Sequence, residues 1–427
     1  MEESNAVQNG KLGQSPEANG NMQVAEKTLS LQQLKEILDL TIKEDDTNKV
    51  ITFLVMLTNY TEDSQLNCAF VAPSSTGKSY IPLEISSLFP EEDLIRLSYC
   101  SPQAFFHDTG EYDEERNEIT INLSRKILMF LDQPHTKLLE RLRPLFSHDQ
   151  KMLTSKITDK SETGGHRTKS VRIIGFPVVV FCTATQRIDE QEATRFMLLS
   201  PEMTGDKIRA AIRQKIKKES DRIEYERGLQ ADEARESLKR RIQDIKASGI
   251  NSINILNTEL LERRFLESNG RLKPRLQRDI SKVMGLCKAL ALFNYRFRQR
   301  KGDTIMISDE DIENAIQLYR EIAECQEHGL SPYVYGIFQK IILPLCSNAD
   351  NVRLLENQKG VSRQEIRSRY FQIYGIAMPD HKLRQEIIPA LEEAGLIIQV
   401  DDPNDKRWKL IRLALGNESR IDQNNSE

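Results

Sequence analysis

The sequence predicts an α/β protein: a parallel sheet between helical layers, continued by a helical region and a small C-terminal unit. Three stretches carry that expectation. Cys68-Ala69-Phe70-Val71-Ala72 is a compact apolar run closed by Pro73 and a small-residue loop, after which Gly77-Lys78-Ser79 opens a segment with helical spacing. Lys126 to Leu131 is a second largely apolar run, and it ends in Asp132. Val178 to Cys182 is a third, ending in Thr183. Uninterrupted apolar strands are buried on both faces, as in parallel sheets covered by helices.

The first stretch also carries chemistry. Strand, loop, Gly-Lys-Ser and helix make a phosphate cradle, in which loop N–H groups and a helix N-terminus face the anion. Ala72, Pro73, Ser74, Ser75, Thr76, Gly77, Lys78, Ser79 and Tyr80 would line it. Lys78 would reach the β- and γ-phosphates of ATP, and the Ser79 hydroxyl would ligate Mg²⁺. The first glycine of the G-x-x-x-x-G-K-[ST] pattern is Ala72 here. The steric demand is greatest beside the lysine, where Gly77 is kept.

Composition sets limits. The 427 residues suggest about three units. Charged residues make up 29% and the formal net charge is −4, so any nucleic-acid contact must come from local basic patches. The six cysteines form no CxxC pair and the six histidines show no ligand spacing. That argues against a zinc site or disulfide framework and for a reducing cytoplasm. The longest apolar stretch, Ile173 to Cys182, is well short of the roughly 20 residues of a membrane span. No signal-peptide pattern opens the chain, and no membrane partner is expected.

In chain order, residues 1–27 are polar and read as a disordered tail. Residues 28–200 form the nucleotide-binding core. Leu31 to Ile42 is a helix with Ser30 as its cap, and Val50 to Leu57 is a second helix or a strand. Both pack beside the core, near the expected adenine. Asp93 to Tyr99 reads as a strand, and Phe105, Phe106 and His107 as core and loop residues. Asp108 to Glu118 reads as a turn, and Ile119 to Leu123 alternates.

Asp132, at a strand end, suits a carboxylate that holds the Mg²⁺ hydration shell opposite Ser79. The next position, which usually carries a glutamate in such ATPases, is Gln133. An amide orients a water but cannot accept its proton. Binding is therefore expected, and hydrolysis is the open question. His135 to Arg143 reads as a helix stopped by Pro144. Two alternating arms then flank Glu162-Thr163-Gly164-Gly165, a hairpin turn. They carry Lys151, Lys156, Lys160, Arg167, Lys169 and Arg172 against Asp159 and Glu162. This basic hairpin suits nucleic-acid phosphates; the plainer alternative is a solvated charged surface.

Phosphate loop, Asp-ending strand, basic hairpin, Thr-ending strand and Thr194-Arg195-Phe196 follow in an order that resembles the AAA+ P-loop ATPase module. The hairpin just before the Thr strand most resembles that of minichromosome-maintenance-type and plasmid or phage replication helicases. The resemblance covers roughly residues 45–325. It implies a three-layer sandwich with a helical lid, ATP and Mg²⁺ as cofactors, Thr183 as sensor 1 (with Thr185 as alternative), and Arg195 as the finger that reaches a neighbouring subunit. It further implies a homo-oligomer, a ring such as a hexamer or a partial ring, acting on DNA rather than RNA.

Residues 201–330 read as a charged helical arm and the lid, whose long helix runs from Pro274 to Arg298. Arg275 or Arg278 at its start would be sensor 2. Ser308 caps the next helix. Residues 331–415 read as helix, polar linker, two helices and a two-stranded wing, the pattern of a winged helix. Its second helix would enter the DNA groove with Lys382 and Arg384, and its wing would follow the backbone with Lys406 and Arg407. Residues 416–427 read as a second tail. The rival function is an ATP-binding switch that turns over slowly or not at all and recruits partners through the winged helix.

Overall fold

In the chain order, strands form at β1 (Cys68–Val71), β2 (Leu94–Leu97), β3 (Glu111–Asp113), β4 (Glu118–Asn122), β5 (Ile127–Phe130), β6 (Met152–Asp159), β7 (Arg167–Ile174), β8 (Val178–Thr183) and β9 (Met197–Leu199). The computed structural model describes residues 27–98, 101, 110–113, 118–159, 167–185, 190–269, 272–347, 360–403 and 405–414. Phe105 to His107, the Glu162–Gly165 turn, Lys160, most of both predicted tails and most of the predicted linker lie outside them. So do the side chains of Arg167 and Lys169.

Helices fill the intervals: α1 (Leu31–Leu38), α2 (Asp46–Leu57), α3 (Tyr80–Ser86), α4 (Thr136–Phe146) and α5 (Glu190–Arg195). The central sheet has the order β2-β5-β8-β1-β9, with every neighbouring pair parallel. Its side chains sort with period two, as the pleat demands. Cys68, Phe70, Ile127, Met129, Val178, Val180, Met197 and Leu199 join the core beneath one face. Ala69, Val71, Leu128, Phe130, Val179, Phe181 and Leu198 join the other. Helices α2 and α3 cover the first face. Helix α4 and a second sheet, β3-β4-β7-β6, cover the second through Leu142, Leu145, Val171 and Ile173. The basic hairpin exists: β6 and β7 pair antiparallel from Met152↔Ile174 to Asp159↔Arg167.

Local signals explain most boundaries. Ser30 caps α1 in a reciprocal box with Gln33, its hydroxyl accepting the Gln33 amide at 3.2 Å. The 50–57 segment is helical, and α2 starts earlier, at Asp46. Helix α4 runs past Pro144, contrary to the sequence reading, because the proline falls in the last turn, where one lost amide bond is tolerated. Gly175 joins β7 to β8 with φ +91°, and a Cβ there would lie 2.1 Å from Ser124 Oγ and 2.4 Å from the Ser124 nitrogen. Both the backbone strain and the clash resist a side chain. Gly175→Ala should cost about 2–5 kcal/mol, seen as a lower urea midpoint at unchanged slope. A wild-type midpoint would refute this account of the joint.

Beyond the sheet come α6 (Gly205–Ser220), α7 (Arg222–Ala231), α8 (Glu233–Ala247), β10 (Ser252–Ile255), α9 (Thr258–Glu267), α10 (Leu276–Phe293), β11 (Arg300–Lys301), β12 (Thr304–Ile307) and α11 (Asp309–Glu327). The charged arm is not wholly solvated, since Leu238, Ile242 and Ile245 of α8 are buried in the core under the sheet. A small sheet, β10-β12-β11, was not expected from the sequence. Then follow α12 (Pro332–Ile337), a π-helical turn (Phe338–Ile342), α13 (Leu343–Ser347), α14 (Arg363–Tyr374), α15 (Asp380–Lys382), a second π turn (Leu383–Ile387), α16 (Ile388–Glu393), β13 (Ile397–Asp401) and β14 (Lys409–Leu413). Each π turn comes just before a proline, Pro344 or Pro389, whose missing amide frees a carbonyl and widens the ladder. Strands β13 and β14 form an antiparallel hairpin, and Val361 bridges Ile411. One apolar cluster runs from Leu34 through α10 and α11 to Leu413. Among the described residues no helix is long and apolar enough to cross a membrane.

Candidate nucleotide-binding site

The loop after β1 is shaped by two left-handed residues, Ser75 at φ +66° and Gly77 at φ +90°. A Cβ on Gly77 would meet nothing within 4 Å, so the glycine serves the backbone turn, and the space beside it stays open. Thr76 Oγ1 donates to the Pro73 carbonyl at 2.9 Å and closes the loop on itself. The Gly77 carbonyl accepts the amides of Tyr80 at 3.0 Å and Ile81 at 3.3 Å, which starts α3. Ser79 sits at the cap position but makes no capping bond, and its hydroxyl turns to the Cys182 thiol instead. Helix α3 has only seven residues. Anion binding here rests on loop amides and side chains more than on a helix dipole.

Strand β8 lies directly beside β1 and supplies the floor. The Ala72 amide donates to the Thr183 carbonyl at 3.2 Å. The Cys182 thiol, buried under the loop, donates to the Lys78 carbonyl at 3.3 Å. Burial raises its pKa to about 11, against the pull of the Ser79 hydroxyl and the Lys78 ammonium, while Asp132 pushes it further up. Lys78, Ser79 and Asp132 therefore converge on one thiol, although they come from different elements. Asp132 is exposed past the end of β5, and its carboxylate accepts the Gln133 amide at 2.8 Å. Thr183 Oγ1 accepts the Thr185 amide at 3.0 Å and donates to Gln133 Oε1 at 2.8 Å. Thr183 thus fixes Gln133, and Thr185 contributes through its backbone. An Mg²⁺-bound nucleotide fits these groups: an open cradle, the Ser79 hydroxyl, and the exposed Asp132 carboxylate, which acts on the same thiol as Ser79.

Two residues beside the loop went unread in the sequence. Lys207, on α6, pairs with the buried Asp45, and its ammonium reaches the Thr76 carbonyl at 3.5 Å. Asp45 in turn accepts the Glu202 amide at 2.7 Å. The Tyr80 hydroxyl donates to the Thr41 carbonyl at 2.8 Å, so the α1–α2 connection lies alongside the cradle. A buried pair spanning 162 positions of the chain leaves no periodic trace, and Lys207 read as one more charge on a solvated arm.

Arg195 lies elsewhere. It precedes β9, at the end of the sheet where β1 begins, whereas the loop follows the other end of β1. Its guanidinium donates to Ser147 Oγ at 2.6 Å and to the Gln191 carbonyl at 2.5 Å. It lines a pocket of about 460 Å³ with Arg278, Lys282, Lys288, His148 and Asp149. Burial lowers its pKa, Glu192 opposes that, and the cations Arg278 and Arg143 lower it further. Of the two residues proposed as sensor 2, Arg278 belongs to this pocket and donates to Thr194 Oγ1. Arg275 pairs with Asp279 four residues along its own helix, at 3.4 Å. The structure thus brings neither to the chain's own phosphate loop. Their sequence position at the start of α10 was correct, but the end of the sheet that α10 faces could not be read from it.

The expected DNA contacts divide. Lys156 is exposed on β6. Arg384 and Lys406 are exposed, and Arg407 is exposed but holds Asp405 at 2.7 Å. Lys382 is half-buried.

A parallel sheet whose β1 runs into a Gly-Lys-Ser cradle, with Thr183 ending the adjacent strand β8 and Asp132 just past the end of β5 beyond it, defines a P-loop domain, a nucleotide-binding unit that commonly works with Mg²⁺. Residues 15–245, more than half of the chain, match the family described as the MTBMA_p00010 P-loop domain, and the chain belongs to that family. No curated protein matches it.

Proposed function

We propose that the protein is an AAA+-type ATPase that completes its active site between subunits and acts on DNA in the cytoplasm, as a helicase, translocase or replication initiator. The observation that carries this reading is the position of Arg195. A guanidinium crowded by Arg278, Lys282 and Lys288 at the far end of the sheet has no phosphate in its own chain to serve. A neighbour's γ-phosphate would add its charge to a cation-rich pocket whose own anions are Asp63 and Asp149. Helices α9 to α11 then act as the lid. The units α14, α15–α16 and β13–β14 act as a winged helix, and the β6–β7 hairpin presents the exposed Lys156 to nucleic-acid phosphates.

A specific observation favours the rival, a slow ATP-binding switch: the oxygen of Gln133 is already taken by Thr183. One experiment separates the two. Arg195→Ala and Lys78→Ala proteins, each inactive alone, are mixed in equal amounts with ATP, with and without single-stranded DNA. Mixed interfaces pair an intact cradle with an intact finger, so activity should recover to about a quarter of wild type and rise with DNA, by combinatorial pairing of two subunit types. In a mixture carrying Lys156→Gln and Lys169→Gln as well, the DNA response should vanish. No recovery despite shown co-assembly removes the trans role and leaves the switch.

A further inference from the structure

The connection between α1 and α2 grips the phosphate loop on both sides. At the start of α3, the Tyr80 hydroxyl donates to the Thr41 carbonyl at 2.8 Å. On the other side Lys207 makes the bridge: its ammonium pairs with the buried Asp45 and donates to the Thr76 carbonyl at 3.5 Å. The connection is built to hold one shape. Glu44 and Asp45 both take left-handed backbone, at φ +55° and +57°, which side-chain-bearing residues keep only where their surroundings impose it. Here the fully buried Lys49 imposes it, pairing with Asp39 and with Asp46 at 2.6 Å and donating to the Glu44 carbonyl at 3.2 Å. Asp45 Oδ1 accepts Asn48 Nδ2 at 2.9 Å and the Glu202 amide at 2.7 Å. The Thr204 hydroxyl accepts the Lys207 amide at 3.2 Å, which fixes Lys207 in the first turn of α6. Desolvation offsets most of the attraction in such buried pairs, so stability alone is a poor account of them.

We propose that Lys207 is a positioning residue for the nucleotide phosphates: anchored on Asp45, it holds the Thr76 carbonyl away from the anion and so aims the next amide, that of Gly77, into the cradle. Covalent geometry links the two. The peptide is trans, so the Thr76 carbonyl and the Gly77 N–H point in opposite directions. Glycine restrains its backbone little, and no neighbour lies within 4 Å of where its Cβ would be, so this peptide needs a hold from outside the loop. Without it, the carbonyl can turn inward and face the phosphate with a partial charge of the same sign. Lys207 touches no phosphate in this scheme; it acts through the loop. The inference rests on the P-loop binding nucleotide.

The test separates positioning from plain support of the fold. Lys207→Met alone leaves Asp45 buried without its cation, so it should lose both stability and ATP affinity. The double variant Asp45→Asn, Lys207→Met removes both charges and keeps Oδ1 for Asn48 and Glu202. Its urea midpoint should return close to wild type. Its Kd for ATP with Mg²⁺, read by calorimetry, should stay about tenfold weaker, the size of one hydrogen bond to a charged phosphate. Inorganic triphosphate, which has no base or sugar, should lose affinity by the same factor and so locate the effect at the phosphates. Lys207→Arg keeps a cation with donors for both partners; it should fold and bind close to wild type. Wild-type ATP affinity in the double variant overturns the proposal and leaves the pair a structural one. A loss seen with ATP but absent with inorganic triphosphate also overturns it, as does a loss in Lys207→Arg as large as in Lys207→Met. Failure of the underlying reading looks different: wild type itself would bind neither ligand, or Lys78→Ala would bind both normally.

Discussion

Lys78→Ala should weaken ATP binding by about thirtyfold to a thousandfold, or roughly 2–4 kcal/mol. The range follows from what the ammonium does. A triphosphate entering the loop sheds water on the side that faces the backbone, and its charge there is met by loop amides, Lys78 and metal. Removing a cation from a partly desolvated pair leaves the phosphate uncompensated, which costs more than the net worth of the pair. The loop is open above Gly77, so part of the charge stays hydrated, and the upper end of that scale is not reached. The fold should survive, because the turn is set by Ser75, Gly77 and the Thr76–Pro73 bond. Calorimetry with Mg²⁺ present makes the measurement. Wild-type affinity in the variant would mean that the loop is not the phosphate site. Ser79→Ala supplies the contrast: its loss should appear with Mg²⁺ and largely disappear in EDTA, since only the metal needs that hydroxyl.

The sheet was legible because its signal is local. Four residues such as Cys68–Val71, apolar throughout and closed by a proline and a small-residue loop, read as a buried strand, and each of the three runs so assigned is one. Caps were legible for the same reason. Ser30 and Ser308 both stand three residues before an acceptor, and both form reciprocal boxes. The cradle residues were legible as a run of small residues before Gly-Lys-Ser. What could not be read are partnerships across the fold. Cys182 was one more apolar residue in a strand until the loop closed over it. Lys207 looked like an ordinary helix lysine, and only tertiary packing turns it toward the loop. Arg278 was placed at the correct helix start, yet α10 carries it to Thr194 and away from the phosphates. The small sheet β10-β12-β11 was missed because its strands have two to four residues, too few for a period to show.

Gln133→Glu should raise ATP turnover by about a hundredfold, the lower end of what a positioned general base contributes. In the wild type the Thr183 hydroxyl donates to Gln133 Oε1, so the side chain meets the site with its NH₂ group. That group can hold a water by its oxygen but takes no proton, and the water stays a poor nucleophile. Glutamate has the same length and keeps the Thr183 bond through one oxygen. Its second oxygen then points where the amide nitrogen was and accepts the proton of the attacking water. ATP affinity should fall slightly, because a new anion faces the γ-phosphate. The pH profile gives an independent signature. Turnover in the variant needs the ionised carboxylate, so it should fall as pH drops through a carboxylic pKa, ordinarily about 4.3 and higher beside phosphate. The wild-type rate should lack that limb. Adding Thr183→Ala to Gln133→Glu should forfeit much of the gain, because the carboxylate loses the bond that aims it. Phosphate release at saturating ATP measures all three proteins. An unchanged rate in Gln133→Glu, with binding intact, would place the attacking water away from residue 133 and leave the slow switch as the better account of this site.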